Sequence, residues 1–251
     1  MKKIKTILVV GASGATGRLV LKQLLGSGQN VKAIVRRLTS LPEPLRDDPR
    51  LSLIQASLSE LSDSEIATHV DGCDGVISCL GHNLTFKGLF GHPRRLVTDA
   101  TRRLCEATQA SPPEAPIRFV LMNTTGNSNR DLNEPISFAQ KCVIGLLRLL
   151  LPPHADNEEA ADYLRTKIGQ KDPAIEWVAV RPDGLVDDES LTDYDLYASP
   201  IRSAIFDAGK TSRINVAHFM SELSTDDDLW LKWKGQMPVI YNQIQLSEPK
   251  S

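Results

Sequence analysis

The 251-residue sequence predicts an α/β fold: a doubly wound, open parallel sheet with helices on both faces and a small C-terminal cap. Three observations carry this. Short β-branched or apolar runs alternate with helical stretches between residues 6 and 182. The first run ends in a glycine-spaced turn, Gly11-Ala12-Ser13-Gly14-Ala15-Thr16-Gly17, which opens a helix. After Arg181-Pro182 the alternation stops, and an acidic, aperiodic stretch follows over 187–199.

Residues 6–10 form a short strand, and 15–25 a helix whose Leu19, Val20, Leu24 and Leu25 recur at helical spacing. Gly26 and Gly28 end that helix, and 31–35 is the next strand, which completes a βαβ unit. Further strands are expected over 51–55, 75–80, 117–122 and 176–180. Helices are expected over 63–69, with Ser62 as N-cap, and over 96–109 and 160–168. The stretches 41–50 and 111–116 read as loops. The apolar run 143–151 reads as a helix packed on the sheet, with a wall of a hydrophobic substrate cleft or a contact surface as the alternatives. Beyond Pro182, a helix over 216–223 is followed by Trp230, Trp233 and Tyr241, which anchor the C-terminal segment. The expected organisation is one domain, with a core over 1–182 and a substrate-side cap over 183–251.

Composition excludes several classes of partner. Lys and Arg total 29 against 31 Asp and Glu, so there is no basic excess for nucleic acid. No run approaches the length of a membrane span, and the apolar run after Lys5 is too short for a signal sequence. The four cysteines, Cys73, Cys79, Cys105 and Cys142, have neither CxxC nor zinc spacing. Buried thiols in a cytoplasmic protein are expected, with no metal. In that setting the glycosylation patterns at Asn83 and Asn123 are chance matches. The expected partner is a small-molecule substrate, and a homodimer is left open.

The glycine turn carries the chemistry. One glycine allows the tight turn, one lets backbone N–H groups approach a pyrophosphate, and one lets helix and strand pack closely. The helix start adds partial positive charge for phosphate. A P-loop is excluded because Arg18-Leu19, not Lys-Ser/Thr, follows Gly17. Arg36 stands 19 residues after Gly17, at the end of the second strand, where an NAD-binding protein carries an acid for the ribose hydroxyl. Arg37 follows. Two guanidiniums at that place suit a 2′-phosphate, so NADP(H) is expected over NAD(H).

These motifs resemble the short-chain dehydrogenase/reductase superfamily, and within it the atypical NAD(P)H-binding branch of NmrA-like proteins and small biliverdin/flavin reductases. The resemblance rests on the glycine turn, on Val35-Arg36-Arg37, and on residues 76–81, 120–125 and 178–182. It implies a Rossmann fold in which Gly11, Ser13, Gly14, Ala15, Thr16 and Gly17 line the pyrophosphate. Arg36 and Arg37 would meet the adenosine phosphate. Ser57 and Leu58 would lie beside adenine, although Ser57 stands where the family usually has Asp. Leu80, Gly81 and His82 would pass under the ribose near the nicotinamide. Thr124 would face the nicotinamide, and Pro182 would begin the loop against its amide.

Many members of the superfamily use a Tyr-x-x-x-Lys pair as proton donor. Tyr163-Leu-Arg-Thr-Lys167 fits that pattern but lies only 18 residues before Arg181, closer than the family spacing. The family slots fall instead near His154 and Asn157-Glu158. Thr124, Tyr163 and His154 are therefore the catalytic candidates. The expected activity is an NADPH-dependent oxidoreductase that delivers hydride to a small carbonyl, quinone or flavin. Its rival is a non-catalytic NADP(H) sensor of the NmrA-like kind. An epimerase/dehydrogenase of the extended branch fits less well, because the chain is short for a substrate domain.

Overall fold

Ile7, Leu8, Val9 and Val10 are each at most 1% exposed, so the first strand is covered on both faces. A continuous apolar run is what such a strand requires. The computed structural model describes residues 3–82, 94–132, 134, 137, 139, 143–146, 148 and 151–243. Its strands are β1 (Thr6–Val10), β2 (Asn30–Val35), β3 (Leu51–Gln55), β4 (Gly75–Ser78), β5 (Ile117–Met122), β6 (Ile175–Pro182), β7 (Gly184–Val186), β8 (Tyr194–Tyr197), β9 (Lys210–Ser212) and β10 (Val239–Asn242). The helices are α1 (Ala15–Gly26), α2 (Glu43–Arg46), α3 (Asp63–Val70), α4 (Leu96–Ala110), α5 (Pro152–Tyr163), α6 (Arg213–Thr225) and α7 (Asp227–Trp233).

The main sheet has eight strands in the order β3-β2-β1-β4-β5-β6-β10-β8. The neighbours from β3 to β10 pair in parallel, and β8 alone runs antiparallel, against β10. Alternate side chains feed two cores. Leu8, Val10, Phe119, Leu121 and Trp177 pack with α3, α4 and α5. Ile7, Val9, Val120, Val178 and Val180 pack with α1, α6 and α7. The period of two along each strand thus serves both helix layers.

Three expectations are corrected. The helix before β6 begins at Pro152, not at residue 160. Prolines suit a first helical turn, and the buried polar residues Asp156 and Glu158 interrupt the apolar period that would have marked this helix. A one-turn π segment, Leu164–Ile168, ends it. The stretch 41–50 contains the short helix α2. Residues from 183 onward do more than cap the strand ends. β10 and β8 extend the sheet, and α6 packs beside α1. Only the β7–β9 pair and the loops around it are left over for the strand ends. Ser62 caps α3 as expected, in a capping box with Glu65. Trp230, Trp233 and Tyr241 are buried, with the Arg118 guanidinium 5.3 Å from the Trp230 ring centre. Leu147, Leu149 and Leu150 of the apolar run, together with Asn83, His92 and Cys142, lie outside the described residues.

One buried ion pair ties the loop after β5 to the last strand pair. Arg181 donates from Nε to Met237 O, from Nη1 to Asn127 O and Glu134 Oε2, and from Nη2 to Glu134 Oε1 and Ala198 O. All five donors of the guanidinium are used. The Arg181 and Glu134 side chains are 0% and 3% exposed. Removing one partner leaves a buried charge uncompensated. Arg181→Leu or Glu134→Leu should each cost about 3–5 kcal/mol in urea unfolding, and the double substitution should recover part of that loss.

Candidate functional site

The strand order places the ends of the chain's βα units in one row. Ser57 follows β3 and Arg36 follows β2. Gly11 follows β1 and Leu80 comes after β4. Thr124 follows β5 and Pro182 closes β6. At about 4.8 Å per strand this row crosses the carboxyl edge, where such sheets bind ligands. It passes the switch point between β1 and β4.

Backbone crowding shapes the turn in the middle of the row. Gly11 has φ +75°, and a Cβ there would sit 2.5 Å from the carbonyl of Cys79. A Cβ on Gly17 would sit 2.2 Å from Gly11 O. Gly14 N donates to Gly11 O at 3.0 Å, and Arg18 Nε donates to Ser13 O at 2.9 Å. Gly14 is the N-cap of α1, and no side chain caps that helix or places an acid in its first turn. The first N–H groups of α1 are thus left for an external acceptor. Gly14 and Ala15 are exposed, Ser13 is half-buried and Thr16 is buried. A side chain at Gly11 or Gly17 would strike the neighbouring backbone, so both positions of the turn require glycine.

Arg36 and Arg37 are both exposed beyond β2, and neither guanidinium has a partner among the described residues. Arg103, Arg118 and Arg165, by contrast, each hold a carboxylate. Ser57 is half-buried and its hydroxyl meets that of Ser59 at 2.9 Å. Leu58 packs into the core with α3 and α4, so its side chain faces inward. Gly81 is exposed.

The His82 imidazole also turns inward. Its Nε2 meets Asp156 Oδ2 at 2.7 Å, with the two side chains 5% and 1% exposed. Asp156 also accepts from Val97 N at 2.8 Å and Thr98 N at 2.9 Å. It caps α4 from the neighbouring helix and holds the His82 imidazole inward, away from the exposed edge of the strand ends.

At the end of β5 the backbone is pinned on both sides. Asn123 Nδ2 donates to Asn157 O at 2.8 Å, and Asn123 Oδ1 accepts from Thr124 N at 2.9 Å. Thr125 N donates to Pro182 O at 3.1 Å. The Thr125 hydroxyl donates to Asp183 Oδ1 at 2.9 Å, and Gly209 N donates to Asp183 Oδ2 at 2.7 Å. His154 Nε2 and Thr124 Oγ1 lie 3.3 and 3.7 Å from the point where a Gly126 side chain would begin. Two of the three catalytic candidates therefore share one place. His154 Nδ1 is 3.9 Å from Glu158 Oε1, one helical turn on. Glu158 accepts from Arg148 Nη2 at 2.8 Å and from its Nε. Burial lowers the pKa of His154, Glu158 opposes that, and Arg148 adds to it.

Tyr163 is not brought to this place. It lies nine residues beyond His154 on a helix running away from the strand ends, about 13 Å along the axis. It packs against the core beside α4, with Cys105 and Glu106 as charged or titratable neighbours, and burial pushes its hydroxyl up to about 12. Lys167 is exposed on the π turn. Burial also pushes Cys79 up to about 12 and Cys73 to about 11. Neither thiol is a nucleophile at neutral pH. No metal-holding group of His, Cys, Asp or Glu occurs among the described residues. Over the β5 end, a cleft of about 370 Å³ is lined by Thr125, Ser128, Pro200, Ile201 and Phe206 among others. Ile201 and Phe206 are 60% and 62% exposed.

A doubly wound parallel sheet whose glycine turn leads into an uncapped helix start defines a dinucleotide-binding protein. The chain belongs to the NAD(P)H-binding family, whose profile matches residues 11–227. It is 28% identical over 186 residues to an uncharacterized chloroplastic protein of Arabidopsis thaliana, covering 74% of this chain and 61% of that relative's length. A short-chain dehydrogenase/reductase of Veillonella parvula in complex with NADP superposes with a TM-score of 0.68 at 17% identity, covering 96% of each chain. An anaerobilin reductase of Escherichia coli O157:H7 superposes at 0.66 and 16% identity, covering 98% of this chain and all of that one. These likenesses establish the fold. They agree with the atypical short-chain dehydrogenase/reductase branch that the motifs resemble.

Sequence reasoning missed Asp156 and the Arg181–Glu134 pair, because a charged residue in a linear chain carries no mark of burial, and it named Glu158 without its Arg148 partner. The backbone crowding generates a prediction. Gly17→Ala should cost about 1–3 kcal/mol in urea unfolding and weaken coenzyme binding. Gly26→Ala, which meets nothing within 4 Å, should do neither.

Proposed function

We propose that this protein is an NADPH-dependent reductase of a small organic acceptor: a carbonyl, quinone or flavin. The observation that carries the reading is the pair of unpartnered guanidiniums, Arg36 and Arg37, in line with the glycine cradle. An NAD-binding chain has a carboxylate there, and a 2′-phosphate is the anion these side chains suit. Gly11, Ser13, Gly14, Ala15, Thr16 and Gly17 would hold the diphosphate. Ser57 and Leu58 would border the adenine end. Leu80, Gly81, the backbone at His82, Thr124 and Pro182 would border the nicotinamide end. When bound, the reduced nicotinamide supplies hydride, and the protein orients it. Thr124 sits where its hydroxyl can position the acceptor, and His154 where it can pass a proton. The exposed Ile201 and Phe206 favour an apolar acceptor, which would cover them.

Among the described residues no helix is long and apolar enough to cross a membrane. The described cysteines Cys73, Cys79 and Cys105 are free thiols, which suits a reducing compartment such as the cytoplasm. The name of the Arabidopsis relative adds a plastid as a second setting of that kind.

A non-catalytic NADP(H) sensor is the second reading. The displacement of Tyr163 and Lys167 from the strand ends favours it, because the superfamily's usual proton donor is then absent. Incubation with NADPH and a panel of carbonyls, quinones and flavins separates the two. Steady NADPH oxidation with any acceptor supports the reductase, and tight binding with no turnover supports the sensor.

Calorimetric titration should show NADPH binding at least about tenfold more tightly than NADH. Arg36→Asp should remove most of that preference, a loss of about 1.4 kcal/mol or more. Equal affinities in the unmodified protein would contradict the reading. In the acceptor assay, His154→Gln should lower kcat by about a hundredfold, whereas Tyr163→Phe should leave it within about twofold.

A further inference from the structure

An ion pair between the buried Glu158 carboxylate and the half-exposed Arg148 stands beside His154, and the reading above does not use it. We infer that Glu158 and Arg148 are a positioning pair that aims His154 at the end of β5 as a proton donor. The inference rests on the reductase reading for the identity of the proton acceptor. The pair itself rests on geometry alone.

Positions i and i+4 share one helix face, so α5 sets Glu158 beside His154 by its own pitch. The Glu158 side chain is 7% exposed, and Arg148 reaches it from the preceding segment through two guanidinium nitrogens. Arg148 is 45% exposed and joins the pair to solvent. The imidazole has Nδ1 toward Glu158 and Nε2 toward Gly126 and Thr124. Both ring nitrogens are buried without a hydrogen-bond partner among the described residues. Leaving such atoms unmade costs stability, and native structures keep them where they have a task. The pair leaves Nδ1 within reach of Glu158 and Nε2 aimed at the site.

The proton step balances simply. When bound, the reduced nicotinamide would supply hydride to the carbon of a carbonyl acceptor. The Nε2–H bond of protonated His154 breaks as an O–H bond forms on the acceptor oxygen. Neutral imidazole remains, with its other proton on Nδ1 facing Glu158. A solvent proton then returns to the bare Nε2 through the open site once the product has left, while Glu158 holds the Nδ1 proton.

The charged groups facing the imidazole are Glu158 on its own helix and Arg148 on the segment before it. Thr124 and Gly126 on the β5 side do not titrate. Glu158 raises the His154 midpoint, and Arg148 and burial lower it. The two substitutions must therefore act in opposite directions.

The test is an NMR titration of the His154 imidazole in the full chain without coenzyme, for the unmodified protein, Glu158→Gln and Arg148→Met. Glu158→Gln should lower the midpoint by about one unit, and Arg148→Met should raise it by a similar amount. In the acceptor assay the alkaline limb of kcat should move by the same displacement. A midpoint unmoved in both variants overturns the pair. So does a rise in both toward the ordinary histidine value, which would mean only that α5 has loosened. If no protein, the unmodified one included, consumes NADPH, the reductase reading fails while the titration still decides the pair.

Discussion

The closest backbone approach around the glycine turn is between Gly17 and Gly11, and the rest of the site depends on it. A single Cβ at Gly17 would stand 2.2 Å from Gly11 O, and one at Gly11 would strike Cys79. This crowding brings the start of α1 against the end of β1 and the loop after β4. The exposed N–H groups of α1 therefore point along the carboxyl edge of the sheet at its switch point. Strand pairing then lines up Arg36 on one side and Leu80, Thr124 and Pro182 on the other. The site is thus a consequence of strand order and of one glycine contact, with loops adding the details.

Those loops are held by buried charge. Asp156 caps α4 from α5 and takes His82 as a third partner, so the segment after β4 is anchored to the helix that carries His154. Arg181 and Glu134 bind the loop after β5 to the segments at 198 and 237. Asp183 joins Thr125 to Gly209. Each carboxylate spans two separate segments. Buried charges give little net stability, yet losing one partner is costly. They act here as fasteners that fix loop positions around the strand ends.

The first six strands were legible in the sequence because each is a short apolar or β-branched run bounded by turns. The runs at 51–55 and 117–122 match β3 and β5 residue for residue. Ser62 announced α3, since its hydroxyl and Glu65 form a local motif. The glycine turn after β1 was legible too, because its residues are contiguous in the chain and it joins a strand to a helix. The acceptor side was only partly so. Thr124 and His154 could be named, but their meeting depends on how α5 docks. Tyr163 matched a motif by spacing, and the helix carries it to the wrong end of the strands. The extent of α5 was hidden because Asp156 and Glu158 are buried polar residues in a place where periodicity expects apolar ones. β10 and β8 were missed because short strands late in the chain gain their meaning only from the sheet they join.

The central claim is that the uncapped start of α1 receives the diphosphate of a nicotinamide dinucleotide. Amide proton shifts followed during NADPH addition test it most directly. The account predicts that the largest changes fall on Gly14, Ala15 and Thr16, with smaller ones at Arg36 and Thr124. Shifts confined to other elements, or none at millimolar coenzyme, would contradict it.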